Sequence, residues 1–144
     1  MKSILFTFGI ASMLFFGNHV NAQEQIIQAS ELPATASKFL KSNFGKETIA
    51  KVEKDVKDMD YEVYFNNGVK VEFDKEGNWK EIDGNNVTAI PTEFIDKSIL
   101  KYVSANYPNT KIVKIEKNRT NQEVELSNGI ELKFDSNGKF IRMD

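Results

Sequence analysis

The sequence predicts an α+β protein: a tandem repeat of a helix followed by a four-stranded antiparallel sheet, with the helices packed on one sheet face. Three observations predict it. Each half opens with an amphipathic helical stripe, continues with apolar and polar residues in alternation, and matches the other half in order. The clearest match pairs residues 67–74 with 128–135 (NGVKVEFD and NGIELKFD). We expect two copies, residues 23–84 and 85–144, and leave open whether they share one continuous sheet.

Residues 1–22 are predicted to be a signal peptide. Lys2 gives a positive start, and residues 4–16 form an apolar run without charge. Val20-Asn21-Ala22 provides the small-residue exit that signal peptidase accepts, so we place the cut after Ala22. The alternative, an uncleaved anchor, is disfavoured because a span needs about 20 apolar residues. We therefore expect a periplasmic or secreted protein that meets the membrane only through this segment before cleavage.

Each copy is predicted to begin with a helix that follows a proline. Pro33 and Pro91 suit the first helical position, where a backbone N–H is not needed. Apolar residues then recur at helical spacing over residues 36–44 and, in a longer stripe, over residues 94–107.

The rest of each copy alternates with a period of two, which predicts strands with one apolar and one polar face. Asn67-Gly68 and Asn128-Gly129 are typical of tight hairpins between two such strands. The helices should cover the apolar face and leave the polar face in solvent. In the first copy the polar face carries Glu62, Tyr64, Lys70 and Glu72.

The composition argues against several classes of function. There are 19 Lys and Arg against 21 Asp and Glu, without a basic stripe, so nucleic acid is not an expected partner. The chain has no cysteine, and its single histidine, His19, lies in the predicted signal peptide. The usual nucleophile–base pairs and most zinc sites therefore lack their residues. We expect no enzymatic activity and no cofactor.

One acidic loop is a candidate metal site. Asp55, Asp58 and Asp60 cluster between two predicted strands, but their spacing does not match a calcium-binding loop. We therefore predict no metal ligands, and interpret the carboxylates of the strands as part of a solvated, mixed-charge sheet face.

The repeated motifs resemble a known family. Its features here are the Leu/Ile-Pro helix openings, an aromatic residue at each helix exit, the two strands NGVKVEFD and NGIELKFD, and a following glycine and aromatic residue. Together they resemble the PepSY-like family of small exported bacterial proteins, similar in fold to the beta-lactamase inhibitor protein. The resemblance implies an exported protein without known chemistry and, by analogy only, peptidase modulation or inhibition of another protein.

The sequence favours a non-enzymatic binding module that holds another envelope or secreted protein or peptide. Glu62, Tyr64, Lys70 and Glu72 on the polar face are candidate contacts, with Tyr64 as an aromatic anchor. Trp79 is a fifth candidate, although its repeat counterpart Phe140 favours a place at the edge of the core. The alternative is a small-ligand or metal-ion-binding periplasmic protein, with a pocket between helices and sheet or in the acidic loops.

Overall fold

The computed structural model describes residues 23–144, so the predicted signal peptide and its cut after Ala22 lie outside the described residues. Within residues 23–144, no helix has the length and apolar character needed to cross a bilayer. The elements in chain order are β1 (Glu24–Ile27), a 3-10 turn (Ala29–Glu31), α1 (Ala34–Phe44), β2 (Ile49–Asp55), β3 (Tyr61–Phe65), β4 (Lys70–Phe73), β5 (Trp79–Asp83), α2 (Lys97–Asn106), β6 (Ile112–Lys117), β7 (Asn121–Leu126), β8 (Glu131–Asp135) and β9 (Phe140–Met143).

The described strands form a single nine-stranded antiparallel sheet in the order β1 to β9. The prediction of a tandem helix and four-stranded-sheet repeat is therefore wrong. β5 pairs directly with β6, with Ile82 opposite Ile115 and Asp83 opposite Lys114. Both isoleucines are fully buried. Pairing these two strands satisfies backbone groups that two separate sheets would leave at exposed edges.

β1 is the strand that the sequence did not predict. Its four residues pair with β2, from Glu24 opposite Asp55 to Ile27 opposite Val52. A segment this short carries too little alternation to be recognised as a strand. As a result, β1 and β9 form the two edges of the sheet.

The core lies between the helices and one face of the sheet. Leu40 and Phe44 of α1 and Ile99 and Val103 of α2 belong to the same buried cluster as the inward-facing strand residues. In the part of the chain that the structure describes, both helices pack on this face. We call the opposite side of the sheet the open face.

The second helix begins later than predicted. α2 starts at Lys97, so the prediction that Pro91 occupies its first position is wrong. A hydrogen bond of 3.0 Å from the Ile95 N–H to the Thr92 carbonyl closes a turn before the helix. Ile95 is buried in that turn, which explains why the apolar stripe extends beyond the helix itself.

Two hairpin tips contact the starts of the helices. A Cβ on Gly77, between β4 and β5, would lie 2.8 Å from Pro33 Cβ. A Cβ on Gly138, between β8 and β9, would lie 2.1 Å from Ser98 Oγ. A side chain at Gly77 would press into the start of α1, and both glycines have a positive φ that other residues rarely adopt, so glycine suits both positions.

Candidate functional site: the open face of the sheet

The strand register aligns one glutamate from each of six neighbouring strands. We call this line the glutamate row, and it continues into a lysine on β8 and an arginine on β9. Directly opposed side chains have Cβ atoms about 4.5–5.5 Å apart, and like charges at that spacing destabilise a sheet. The row therefore needs compensating cations. Its members, from β2 to β7, are Glu53, Glu62, Glu72, Glu81, Glu116 and Glu123.

Lys70 supplies one compensating charge in the first half of the sheet. Its Nζ lies 3.6 Å from Glu62, 3.5 Å from Glu81 and 4.0 Å from Glu72. Burial lowers the pKa of Lys70, but the three carboxylates outweigh it and raise the pKa overall. Lys70 therefore stays charged and joins three strands of the row.

Lys80 supplies a second compensating charge through a β-bulge. The register shifts between Glu72 and Phe73, which leaves Lys80 as the extra residue of β5. Its Nζ lies 2.5 Å from Asp60 and 2.9 Å from Glu72. Burial lowers the pKa of Lys80, but hydrogen bonds and charge attraction from these two carboxylates raise it well above its ordinary value.

Tyr64 is held by its neighbours on the open face. Its hydroxyl donates to Glu62, and Lys51 Nζ lies 4.3 Å from the centre of its ring. Burial, with the hydrogen bond and negative charge of Glu62, raises the pKa of the Tyr64 phenol far above its ordinary value. Lys51 Nζ also lies 2.7 Å from Glu53 Oε1, so Lys51 contacts both the Tyr64 ring and the end of the row.

An acidic pocket of about 190 Å³ lies beside this end of the row. Asp55 anchors its loop by accepting the N–H groups of Asp58 and Lys57, and these hydrogen bonds lower the pKa of Asp55. Within residues 23–144, no three His, Cys, Asp or Glu side chains are arranged to hold a metal ion. Lys80 and seven carboxylates line the pocket: Glu24, Glu53, Asp55, Asp58, Asp60, Glu62 and Glu72.

The sequence indicated only part of this pocket. The three aspartates were visible as a loop cluster, whereas the four glutamates arrive from β1, β2, β3 and β4. Their meeting depends on strand pairing between distant segments, and β1 itself was not predicted.

The second half of the open face carries fewer compensating contacts. Lys133 pairs with Glu123. Lys114 lies opposite Glu125 in the register, but its Nζ contacts Glu81 of β5 at 3.2 Å. Three carboxylates in this half form no ion pair with any residue that the structure describes, and we call them the unpaired carboxylates: Glu116, Glu125 and Glu131.

Four of the five candidate residues lie together. The structure brings Glu62, Tyr64, Lys70 and Glu72 into one contact network on the open face, but it places Trp79 on the helix side. The Trp79 ring lies 5.3 Å from the Phe94 ring and 6.4 Å from the Phe39 ring, and Lys117 Nζ lies 4.2 Å from its centre. Trp79 therefore packs at the edge of the core.

A second cavity lies on the helix side of the sheet. It measures about 410 Å³ and opens between α1 and the ends of β2 and β3. Leu40, Phe44 and Phe65 give it an apolar wall, and Lys41 and Glu47 lie at its rim. It is one of several cavities on this side that correspond to the alternative of a ligand pocket between helices and sheet.

Comparison with known proteins decides the family. A family model described as "Putative beta-lactamase-inhibitor-like, PepSY-like" matches residues 18–63 and 59–142. The chain belongs to this family. The resemblance read from the repeated motifs is thus confirmed.

Solved structures of similar proteins agree with this assignment. A Bacteroides thetaiotaomicron protein described as a "putative calcium-regulated periplasmic protein" is 42% identical, with a TM-score of 0.79 over 84% of this PepSY-like chain and 96% of its own. A Bacteroides vulgatus "putative periplasmic protein" is 40% identical, with a TM-score of 0.79 over 86% and 98%. A second protein from B. vulgatus, described as a "putative periplasmic protein of unknown function", is 34% identical, with a TM-score of 0.76 over 84% and 98%. No curated protein matches the chain. The three descriptions support a periplasmic location for this PepSY-like protein.

Proposed function

We propose that this PepSY-like protein is a non-enzymatic periplasmic binding module that holds another envelope or secreted protein or peptide on its open face. The observation that carries the proposal is the asymmetry of the sheet. One face is covered by α1 and α2, whereas the other exposes a continuous charged surface that no described element covers.

The size of the open face suits a protein partner. Strands lie about 4.8 Å apart, so nine strands span about 38 Å, and a five-residue strand is about 17 Å long. The face therefore offers on the order of 600 Å², close to the roughly 800 Å² that each partner contributes to a standard interface. Its mixed charges would set orientation and association rate more than affinity.

The family description gives this binding one specific form. A beta-lactamase-inhibitor-like protein would act by occupying the surface of an envelope enzyme, which needs a broad rigid face and no catalytic residue of its own. The paired side chains around Lys70 and Tyr64 supply that rigidity.

Affinity capture from envelope extract tests the proposal. The bait is the tagged mature protein, compared with a variant in which Glu62, Tyr64, Lys70 and Glu72 are replaced by serine or threonine. A matched control replaces Lys38, Lys41 and Lys101, which lie exposed on the helices, by serine. We expect a partner that the wild type and the control retain and the folded open-face variant loses. Equal recovery by all three would place the site on loops or helices, and no recovery by any would contradict the proposal.

Calcium binding is a second candidate, favoured by the acidic pocket and by the description of the B. thetaiotaomicron relative as "putative calcium-regulated". Calcium prefers six to eight oxygen ligands, and carboxylates provide them. However, Lys80 projects into the pocket and bridges Asp60 to Glu72. Calcium would therefore have to displace the Lys80 ammonium group and draw together carboxylates that, within residues 23–144, are not arranged to hold a metal ion.

Calorimetric titration with calcium chloride, compared with magnesium chloride, tests this second candidate. We expect Lys80→Met to bind calcium more tightly than the wild type, because the competing cation is gone. Asp55→Asn combined with Asp60→Asn should bind more weakly. If neither the wild type nor Lys80→Met releases or absorbs heat with calcium, the pocket is not a calcium site.

A further inference from the structure

Three carboxylates in the second half of the open face form no ion pair with any residue that the structure describes, although Lys114 attracts Glu116 at longer range. Glu116 lies opposite Glu123, and Glu125 lies opposite Glu131, so two like-charged pairs sit on neighbouring strands. Lys133 forms an ion pair with Glu123 alone. These side chains line a shallow depression of about 50 Å³ together with Lys114.

The cations that could compensate this half are engaged elsewhere. Lys114 reaches across the β5–β6 boundary to Glu81. Arg142 of β9 binds Asp144, with its Nε 2.6 Å from the carboxylate. β9 has a bulge at the position that corresponds to Lys80 in β5, but its extra residue is Ile141, which is 51% exposed. The second half therefore has no counterpart of Lys80.

We infer that the protein or peptide bound on the open face meets its β6–β8 half with a basic segment, whose lysine or arginine side chains pair with Glu116, Glu125 and Glu131. This inference rests on the proposed function, and it adds the chemistry of the partner and the part of the face that it occupies. Charge complementarity carries it: a surface of unpaired carboxylates fits a partner of opposite charge.

The geometry fits an extended basic segment. Residues two apart on a strand are about 6.8 Å apart, and diagonal neighbours on the sheet are about 7–8 Å apart. Alternate basic side chains can therefore each reach a different carboxylate. Arginine suits the site especially well, because its planar fork binds a carboxylate through two parallel hydrogen bonds.

Fluorescence anisotropy of a labelled peptide of alternating arginine and serine tests the inference. The wild type is compared with a variant that carries Glu116→Gln, Glu125→Gln and Glu131→Gln. A matched control carries Glu47→Gln, Glu76→Gln and Glu93→Gln, three exposed carboxylates outside the open face with the same charge change. A peptide of alternating glutamate and serine reports non-specific adsorption. Because each change replaces a carboxylate by an amide of the same shape, all variants should fold, and circular dichroism checks this.

We expect the arginine peptide to bind the wild type in a salt-dependent manner. The open-face variant should bind about tenfold more weakly, because it lacks three exposed ion pairs of modest strength. The control should stay within about twofold of the wild type. Equal weakening in both variants, or no binding to the wild type, would overturn the inference. If the envelope capture still depends on the open face in that case, the proposed function stands and only the basic character of the partner fails.

Discussion

The two halves of the open face, β2–β5 and β6–β9, share a backbone arrangement and differ in how their charges are compensated. In the first half every glutamate of the row contacts a lysine, and Lys70 and Lys80 each reach two or more carboxylates. In the second half three carboxylates contact none among residues 23–144, and Ile141 replaces the bulge lysine. The same sheet thus contains a half whose glutamates form ion pairs and a half with three unpaired carboxylates, which we propose a partner engages.

The largest expected effect tests whether these halves form one cooperative unit. Phe73 and Phe134 occupy corresponding positions in the two halves, and both are fully buried. Phe73→Ala or Phe134→Ala should lower the free energy of unfolding by about 3–5 kcal/mol. Because one core lies under one continuous sheet, each variant should unfold in a single transition in calorimetry. Two separate transitions would show that the halves fold independently.

The second effect compares the lysines of the two halves. Lys70→Met leaves three carboxylates without their shared cation, whereas Lys133→Met removes a contact with Glu123 alone. Since Lys70 is only partly buried, we expect a loss of about 1–2 kcal/mol for it and about 0.5 kcal/mol for Lys133, measured by urea denaturation. A larger loss at Lys133 would show that ion pairs stabilise the second half of the open face more than the first.

The sequence predicted the local features of the open face and missed the alignment between strands. Alternation placed Glu62, Tyr64, Lys70 and Glu72 on one polar face, because period-two pattern and hairpin turns are encoded within a few residues. The glutamate row could not be predicted, because alternation fixes the face of each side chain but not which residue of the neighbouring strand lies opposite it.

The pairing of β5 with β6 was also beyond the sequence pattern. It brings Ile82 against Ile115 across an intervening helix, and nothing local to either strand identifies its partner. The four glutamates of the acidic pocket were missed for the same reason. The position of Trp79, in contrast, was indicated by the sequence, because its counterpart Phe140 favoured a place at the edge of the core.

A smaller effect concerns the pH dependence contributed by Lys80. The folded pKa of Lys80 is raised, so its stabilising contribution is complete below the unfolded value of about 10.4 and is lost as pH rises through the folded value. We expect Lys80→Met to be less stable than the wild type by less than about 1 kcal/mol at neutral pH, because the side chain is partly exposed. The difference should stay constant up to about pH 9 and shrink only at higher pH. A difference that shrinks on going from pH 7 to pH 9 would show that Lys80 is not held by these carboxylates.

The smallest expected effect has opposite signs in the two halves. Glu116→Gln removes a like-charge contact with Glu123 and should stabilise the protein by about 0.2–0.5 kcal/mol. Glu72→Gln removes a carboxylate that pairs with Lys80 and should destabilise it slightly. Paired urea denaturation curves at low ionic strength measure both. Destabilisation by Glu116→Gln would mean that its carboxylate already supports the fold.

Site-specific photo-crosslinking in the periplasm of living cells tests whether the open face of the sheet holds a partner. One variant carries a photoreactive residue in place of Glu125, on β7 in the second half of the open face. The other carries it in place of Lys101, which lies exposed on α2. We expect a discrete crosslinked partner from position 125 and none from position 101. A partner crosslinked from position 101 and absent from position 125 would contradict this expectation.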